Sequence, residues 1–339
     1  MDKYIFAICD YQSRFGSKYF DNPYRSGMDK NLLVEAFFRY GFNIQYLNMS
    51  DGNIENLLKD QYVLYTSQED PGYYYKNFIE DRIYSLELAG AKIIPSYKCL
   101  RANNNKVMME TLRKLYLPES YQLKSMMLGT YEELIMQIKN ITFPCVIKKS
   151  EGAGSKGVLL AKNEKELLKK VKKVSRIPFI NEEFHDIIRS KIHKGYRKES
   201  IYRKKFIIQE FVYGINNDWK VLVFWDKYYI LRRKNRPNDF RASGSGLFSF
   251  DDNVDIRLLE AAKEIRKYFD VPMISLDLAI SNNKVILWEF QFLYFGTSTL
   301  EKSPYYYKEK NGNWEQIFEK SVLENIYAYS IASYIESQL

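Results

Sequence analysis

Residues Phe143 to Val158 read FPCVIKKSEGAGSKGV: a β-rich run carries Lys148 and Lys149 into a turn with glycines at 152, 154 and 157, and a second β-rich run follows. Glycine permits a positive φ and lets backbone N–H groups approach an anion with no Cβ in the way, while a lysine adds a point charge. The pattern predicts a hairpin that grips phosphate, with a nucleoside triphosphate as the expected ligand. The bland alternative is a glycine-rich turn that binds nothing.

The spacing Gly152-x-Gly154-x-x-Gly157 also fits two other phosphate loops. A dinucleotide-binding loop needs a helix after the glycines, whereas Val158-Leu159-Leu160-Ala161 continues as strand. A protein-kinase loop carries its lysine on the strand after the glycines and requires H-R-D and D-F-G downstream; neither triplet occurs, and here the lysines come first. No G-x-x-x-x-G-K-[ST] loop is present either.

Four further segments follow a recognisable order: NNNKVMMETL around Lys106, FIIQEFVYGINNDWKVLVF at 206–224, YYILRRKNRPNDFRASGSG at 228–246 and MISLDLAISNNKVILWEFQFLYFG at 273–296. Together with the glycine hairpin, this set resembles the ATP-grasp superfamily of carboxylate–amine ligases. The pairs Arg232-Arg233 and Phe240-Arg241 look most like the ribosomal-protein glutamate ligase and glutathione synthetase branch. The resemblance covers about residues 100 to 300. It implies an α/β (α+β) ATP-grasp fold, with an N-terminal parallel-sheet lobe over 1–100, a small subdomain over 101–208 and a C-terminal subdomain over 209–339 with a metal site.

The resemblance also implies roles. Lys106 and Lys148 stand where the family has its phosphate-binding lysines, with Gly152, Gly154, Ser155 and Gly157 around the phosphates. Gln209, Glu210, Phe211 and Val212 match the hinge that reads adenine, although Gln209 departs from the family's acidic pair. Asp218 matches the start of an Asp-x-Arg element in which Lys220 replaces the arginine. Arg232, Arg233 and Arg241 would supply cationic forks near the γ-phosphate, since arginine matches phosphate bidentately. The RASGSG segment and the glycine hairpin would close over the phosphates. Asp277, Glu289 and Gln291 would hold Mg²⁺, with Gln291 in place of the usual asparagine.

Strand alternation constrains these roles. Lys148 and Lys149 point to opposite faces, as do Arg232 and Arg233. Lys148 is the one expected on the nucleotide. Glu289 and Gln291, two apart, share a face. A three-residue loop at Asn282–Lys284 would set Asp277 opposite Glu289, whereas a two-residue turn at Asn282-Asn283 would set Asp277 opposite Trp288. The metal site therefore demands the longer loop.

The implied chemistry is attack of a substrate carboxylate on the γ-phosphate of ATP, giving an acyl-phosphate that an amine converts to an amide. Substrate candidates are an amino acid or peptide, or a uronic-acid sugar of surface-polysaccharide assembly. The alternative is a small-molecule kinase on the same scaffold. Only His185 and His193 occur, in no Ser-His-Asp or Cys-His arrangement.

Composition sets outer bounds. At 339 residues the chain should hold two or three lobes, and its 46% hydrophobic content suits a globular enzyme. No apolar run reaches the length of a spanning helix, and MDKYIFAICD lacks a signal-peptide core, so a cytoplasmic location and no membrane partner are expected. Cys9, Cys99 and Cys145 are too scattered for a zinc set. The net charge of +9 concentrates between 164 and 205; this is a solvated basic face, or a wall that attracts an anionic substrate. Nucleic acid is not expected, and a homodimer is among the expected assemblies. The first hundred residues alternate in a βαβ manner, with strands at Tyr4–Ile8, Asn43–Leu47, Tyr62–Tyr65 and Ala91–Ile94 and helices at Lys30–Tyr40 and Tyr73–Leu88, which favours a parallel sheet. A helix over Ala102–Leu115, a lysine-rich helix from 163 and an irregular basic insert follow, and strand resumes at Phe206.

Overall fold

The computed structural model describes residues 3–18, 26–152, 157–178, 180–235, 246–251 and 253–339. The chain divides into two compact units, Met1–Asn103 with Ile215–Leu339, and Asn104–Gly214.

The first unit opens with four parallel strands, β1 (Lys3–Cys9), β2 (Phe42–Asn48), β3 (Tyr62–Tyr65) and β4 (Lys92–Ile94), in the order β2-β1-β3-β4. Parallel neighbours need crossover connections, and the helices Lys30–Phe38 and Tyr74–Leu88 supply two of them. β1 is buried without a break from Ile5 to Cys9, as expected of a strand inside such a sheet. These elements lie within two residues of the spans that periodicity predicts.

The helix expected over Ala102–Leu115 runs from Lys106 to Tyr116, and a short helix that the sequence reading did not include, Tyr97–Ala102, precedes it. Three successive asparagines, Asn103 to Asn105, separate the two and delay the start of the second. Asn104 takes φ +52°, and the Asn105 side chain accepts the Met108 N–H as an N-cap; asparagine favours such turns and caps over helix interiors.

In the second unit β5 (Ser125–Leu128), β6 (Cys145–Lys149), β7 (Val158–Ala161) and β8 (Phe206–Glu210) form an antiparallel sheet in the order β5-β8-β6-β7. The helix Glu164–Ser175 lays Leu167, Val171 and Val174 against Ile147 and Phe206, leaving its lysines outward. The insert expected to be irregular contains a helix, Ile180–Ile192. Phe184, Ile187, Ile188 and Ile192 follow a helical period that the surrounding basic residues obscure.

The chain then builds β9 (Asn217–Phe224), β10 (Lys227–Lys234), β11 (Phe248–Ser249), β12 (Met273–Ser281), β13 (Lys284–Gln291), β14 (Tyr306–Lys310) and β15 (Asn313–Ile317). Their order is β13-β12-β9-β10-β14-β15, with β11 on β10. The closing helix Leu323–Ser337 returns to the N-terminal sheet. Ile331 and Ile335 share one apolar core with Leu33, Phe37 and Phe42 and with Leu222 and Phe224 of β9, so residues from both ends of the chain form a single core.

Phe224 is 1% exposed and meets Tyr229 and Phe295 edge-on, with ring centroids 6.3 and 6.0 Å away. Truncating it to alanine should cost about 3–5 kcal/mol in urea unfolding. The same change at Phe38, which is 70% exposed, should move stability by no more than about 0.5 kcal/mol.

Candidate active site

In the second unit the start of the glycine hairpin is fastened to the helix Lys106–Tyr116. The Lys106 N–H donates to the Ser150 carbonyl at 2.8 Å and its ammonium to the Gly152 carbonyl at 3.2 Å. The Ser150 hydroxyl donates to Asn105 Oδ1 at 3.1 Å and the Gly152 N–H to Asn104 Oδ1 at 2.7 Å. Gly152 has φ +108°, which glycine takes without strain. Lys106 is therefore a buried side chain at the mouth of the hairpin and not a surface lysine. The Gly152 N–H, expected to face an anion, is held by Asn104. Lys148 lies inward on β6 opposite Val158, while Lys149 is exposed, as alternation requires. Gly157 follows the hairpin tip; Gly154 and Ser155 lie outside the described residues.

β8 pairs Gln209 with Val146 on one side and Ser125 on the other, which buries its amide to 1% exposure. Its Nε2 has no hydrogen-bond partner among the described residues. Glu210 accepts the Lys124 N–H at 2.9 Å. Phe211 and Val212 follow, half-buried, and Phe211 meets Tyr213 edge-on.

In the first unit three neighbouring strands bring opposite charges together. β9 and β10 pair Asp218 with Arg233, and β9 and β12 pair Lys220 with Asp277. Arg233 Nε donates to Asp218 Oδ1 at 2.6 Å, and its Nη2 lies 3.0 Å from Asp277 Oδ2. Lys220 Nζ lies 3.5 Å from Asp277 Oδ1 and donates to the Ser275 hydroxyl at 2.8 Å. Burial raises the Asp277 carboxyl, but the Arg233 and Lys220 cations overcome it and hold the group below the ordinary aspartate range. Asp218 shifts the other way: burial dominates, Arg233 opposes it, and the neighbouring Asp277 charge adds to the rise. Arg233 is itself disfavoured by burial, yet the two carboxylates raise its pKa.

Arg232 points to the other face, where it pairs with Asp251 at 3.1 Å and lies over Trp219. Of the expected cationic forks, Arg233 alone is in the carboxylate cluster among the described residues; Arg241 lies outside them. Sequence reasoning treated Lys220 as a defective arginine and did not single out Ser275. The signal for Lys220 was present, since residues two apart on a strand share a face.

The β12–β13 hairpin departs from its expected form. Its turn is the two-residue one: Ser281 pairs with Lys284, and Asn282 and Asn283 take φ +47° and +64°, the pattern of a type I′ turn. Asp277 nevertheless pairs with Glu289, because Leu278 pairs with Leu287 and Trp288 is an extra residue in the ladder. The β-bulge shifts the phase of β13, so Leu287 and Phe290 are both buried although three apart. Glu289 and Gln291 follow it on a common face, opposite Asp277 and Ser275.

Among the described residues no group of three or more His, Cys, Asp or Glu is placed to hold a metal. Mg²⁺ commonly takes one or two protein carboxylates and fills its shell with water and substrate phosphates. The facing pair Asp277 and Glu289 fits that smaller requirement: among the described residues Asp277 Oδ1 accepts no close hydrogen bond, its neighbour being the Lys220 ammonium at 3.5 Å.

No family model and no curated protein matches the sequence. Solved structures do match its fold over nearly the whole chain. A RimK domain ATP-grasp protein from Sphaerobacter thermophilus DSM 20745 aligns at TM-score 0.52 and 11% identity over 98% of this chain and 99% of that one. D-alanine–D-alanine ligase from Bacillus anthracis aligns at TM-score 0.54 and 12% identity over 99% and 98%. The chain has the ATP-grasp fold. An N5-carboxyaminoimidazole ribonucleotide synthetase, solved as its ADP complex, aligns at TM-score 0.54 and 10% identity over 90% of this chain and 74% of its own. At such identities the ATP-grasp fold is what these proteins share; their substrates are their own.

Replacing Arg233 by methionine would leave Asp218 and Asp277 buried with Lys220 as the remaining nearby cation. The expected loss is about 3–5 kcal/mol at pH 7. Loss of the guanidinium removes the largest influence lowering both carboxyls, so in the folded variant both rise relative to wild type, the folded state binds protons more readily and the deficit shrinks as pH falls. Urea midpoints at pH 7 and pH 5 check this; a deficit that stays constant would contradict it.

Proposed function

We propose that this chain is an ATP-dependent carboxylate–amine ligase that forms an amide through an acyl-phosphate. The carrying observation is the carboxylate cluster on β9, β10, β12 and β13, set on a fold shared with proteins named as ligases.

In this reading the second unit holds the nucleotide. Lys106 and Lys148 bind its phosphates as point charges, and the buried Gln209 amide, whose Nε2 has no partner among the described residues, offers a donor to the base. Phe211 and Val212, half-buried beyond β8, cover the base. An ADP complex on this fold supports the nucleotide assignment.

Asp277 and Glu289 would hold Mg²⁺, with Gln291 beside them as a neutral oxygen donor. When bound, the ion neutralises charge on the phosphates during transfer. Arg233 acts as a positioning residue: it fixes both Asp218 and Asp277 and keeps Asp277 ionised, so that a carboxylate is ready without proton loss. Lys220 supports Asp277 from the other side. No enzyme nucleophile is needed, since the substrate carboxylate attacks phosphorus and the amine then displaces phosphate. The substrates proposed are an amino acid or peptide, or a uronic-acid sugar joined to an amine.

The test is release of ADP and phosphate from Mg²⁺–ATP across a panel of carboxylates, each with and without amines. Release that needs both partners is the expected result. Release with a hydroxyl-bearing substrate and no amine would replace the ligase by a kinase. Lys148→Ala and Glu289→Ala should each lower turnover at least about a hundredfold, on the scale of removing an electrostatic transition-state contact, with the far-UV circular dichroism unchanged. Wild-type turnover in both would sink the site assignment.

A further inference from the structure

The helix Ile180–Ile192 of the second unit leaves four large apolar side chains open to water. Phe184, Ile187, Ile188 and Ile192 recur at helical spacing, and they are 61%, 41%, 52% and 69% exposed. A helix stripe of four large apolar residues open to water is costly unless something covers it. The buried core of this unit, formed by residues such as Leu167, Val171 and Phe206, includes none of them.

Charge indicates what covers it. Residues 164–205 contain fourteen lysines and arginines against six aspartates and glutamates, so this stretch carries +8 of the chain's +9. Lys191, Lys194, Arg197 and Lys198 follow the stripe on exposed positions. The acidic side chains described on the same helix are already engaged: Glu183 with Arg176, and Asp186 with Arg189 and the Tyr196 hydroxyl. Both carboxylates are thus partly neutralised, and the surroundings of the stripe are cationic.

We propose that this helix lies on an anionic lipid surface, with Phe184, Ile187, Ile188 and Ile192 inserted at the headgroup boundary and the following cations paired with lipid phosphates. Apolar residues on one face and lysine or arginine beside them are the composition of an interfacial helix, and basic residues next to the surface add salt-sensitive attraction. A second copy of the chain does not match this face, since each would bring the same excess of positive charge. Nucleic acid would use the cations and leave the isoleucines in water. No helix among the described residues is long and apolar enough to cross a membrane, and surface docking does not require one.

The experiment is co-sedimentation of the full chain with vesicles of phosphatidylcholine alone and of phosphatidylcholine with 30% phosphatidylglycerol, at 0.1 and 0.5 M salt. The expected result is binding to the anionic vesicles only, weakened about tenfold or more by the higher salt. Ile188→Ser combined with Phe184→Ser should abolish binding, and Lys191→Glu with Lys194→Glu should weaken it about tenfold or more. All four positions are exposed, so circular dichroism and thermal melting should match wild type. No binding to anionic vesicles overturns the proposal, as does binding that the serine variant retains. Light scattering that finds a dimer dispersed by the serine substitutions also overturns it, in favour of a second copy as the occupant.

Discussion

The structure of the first unit turns on one guanidinium. Arg233 lies between Asp218 and Asp277, on the central strands of the sheet, and 6% of it is exposed. Taking three charged groups out of water is unfavourable unless they meet one another with good geometry. That requirement fixes the register of β10 on β9 and of β9 on β12. A one-residue slip of β9 would send Asp218 and Lys220 to the opposite face together, leaving Arg233 and Asp277 without two of their partners. The apolar residues Val221, Leu222, Val223 and Phe224 on the same strand are fully or almost fully buried and set no such parity by themselves. The charges therefore specify the register that the hydrophobic pattern leaves open.

The second unit solves a different problem with neutral groups. A glycine hairpin has little packing of its own, so its position has to come from a neighbour. Asn104 and Asn105 provide it through side-chain bonds to Gly152 and Ser150, and Lys106 adds two more contacts. Two of the three asparagines between the helices, Asn104 and Asn105, thus also hold the hairpin entrance. Local turn chemistry and placement of a candidate phosphate-binding lysine are one feature here.

Much of this was legible beforehand, and the parts that were not share a cause. Strand and helix spans in the first hundred residues followed from apolar periodicity, and the burial of Lys148 against exposed Lys149 followed from alternation. The separation of Arg232 from Arg233 did too. The late start of the helix at Lys106 was missed because the asparagines at 103–105 act through a positive φ and side-chain caps, which periodicity does not register. The helix Ile180–Ile192 was missed because its apolar period, Phe184, Ile187, Ile188 and Ile192, is interspersed with basic residues that obscure it. The role of Lys220 was hidden by comparison with an arginine, although its spacing from Asp218 already placed it on the correct face.

The hairpin of β12 and β13 shows how two local rules combine into a result that neither predicts. Asn282-Asn283 readily adopts the positive φ values of a two-residue turn, and with no further adjustment that turn puts Asp277 opposite Trp288. Glu289 would then share the face of Leu287, which is 1% exposed, and a carboxylate buried there would need a partner. The bulge at Trp288 removes the conflict. It leaves Leu287 and Phe290 both in the core and returns Glu289 to the face opposite Asp277. A longer loop would reach the same pairing with its adjustment at the exposed tip. Placing the extra residue beside Asp277 and Glu289 instead puts the irregularity next to the carboxylates, where a bulge re-aims side chains. The shape of the candidate metal site is accordingly set by the bulge, and the turn residues made the bulge necessary.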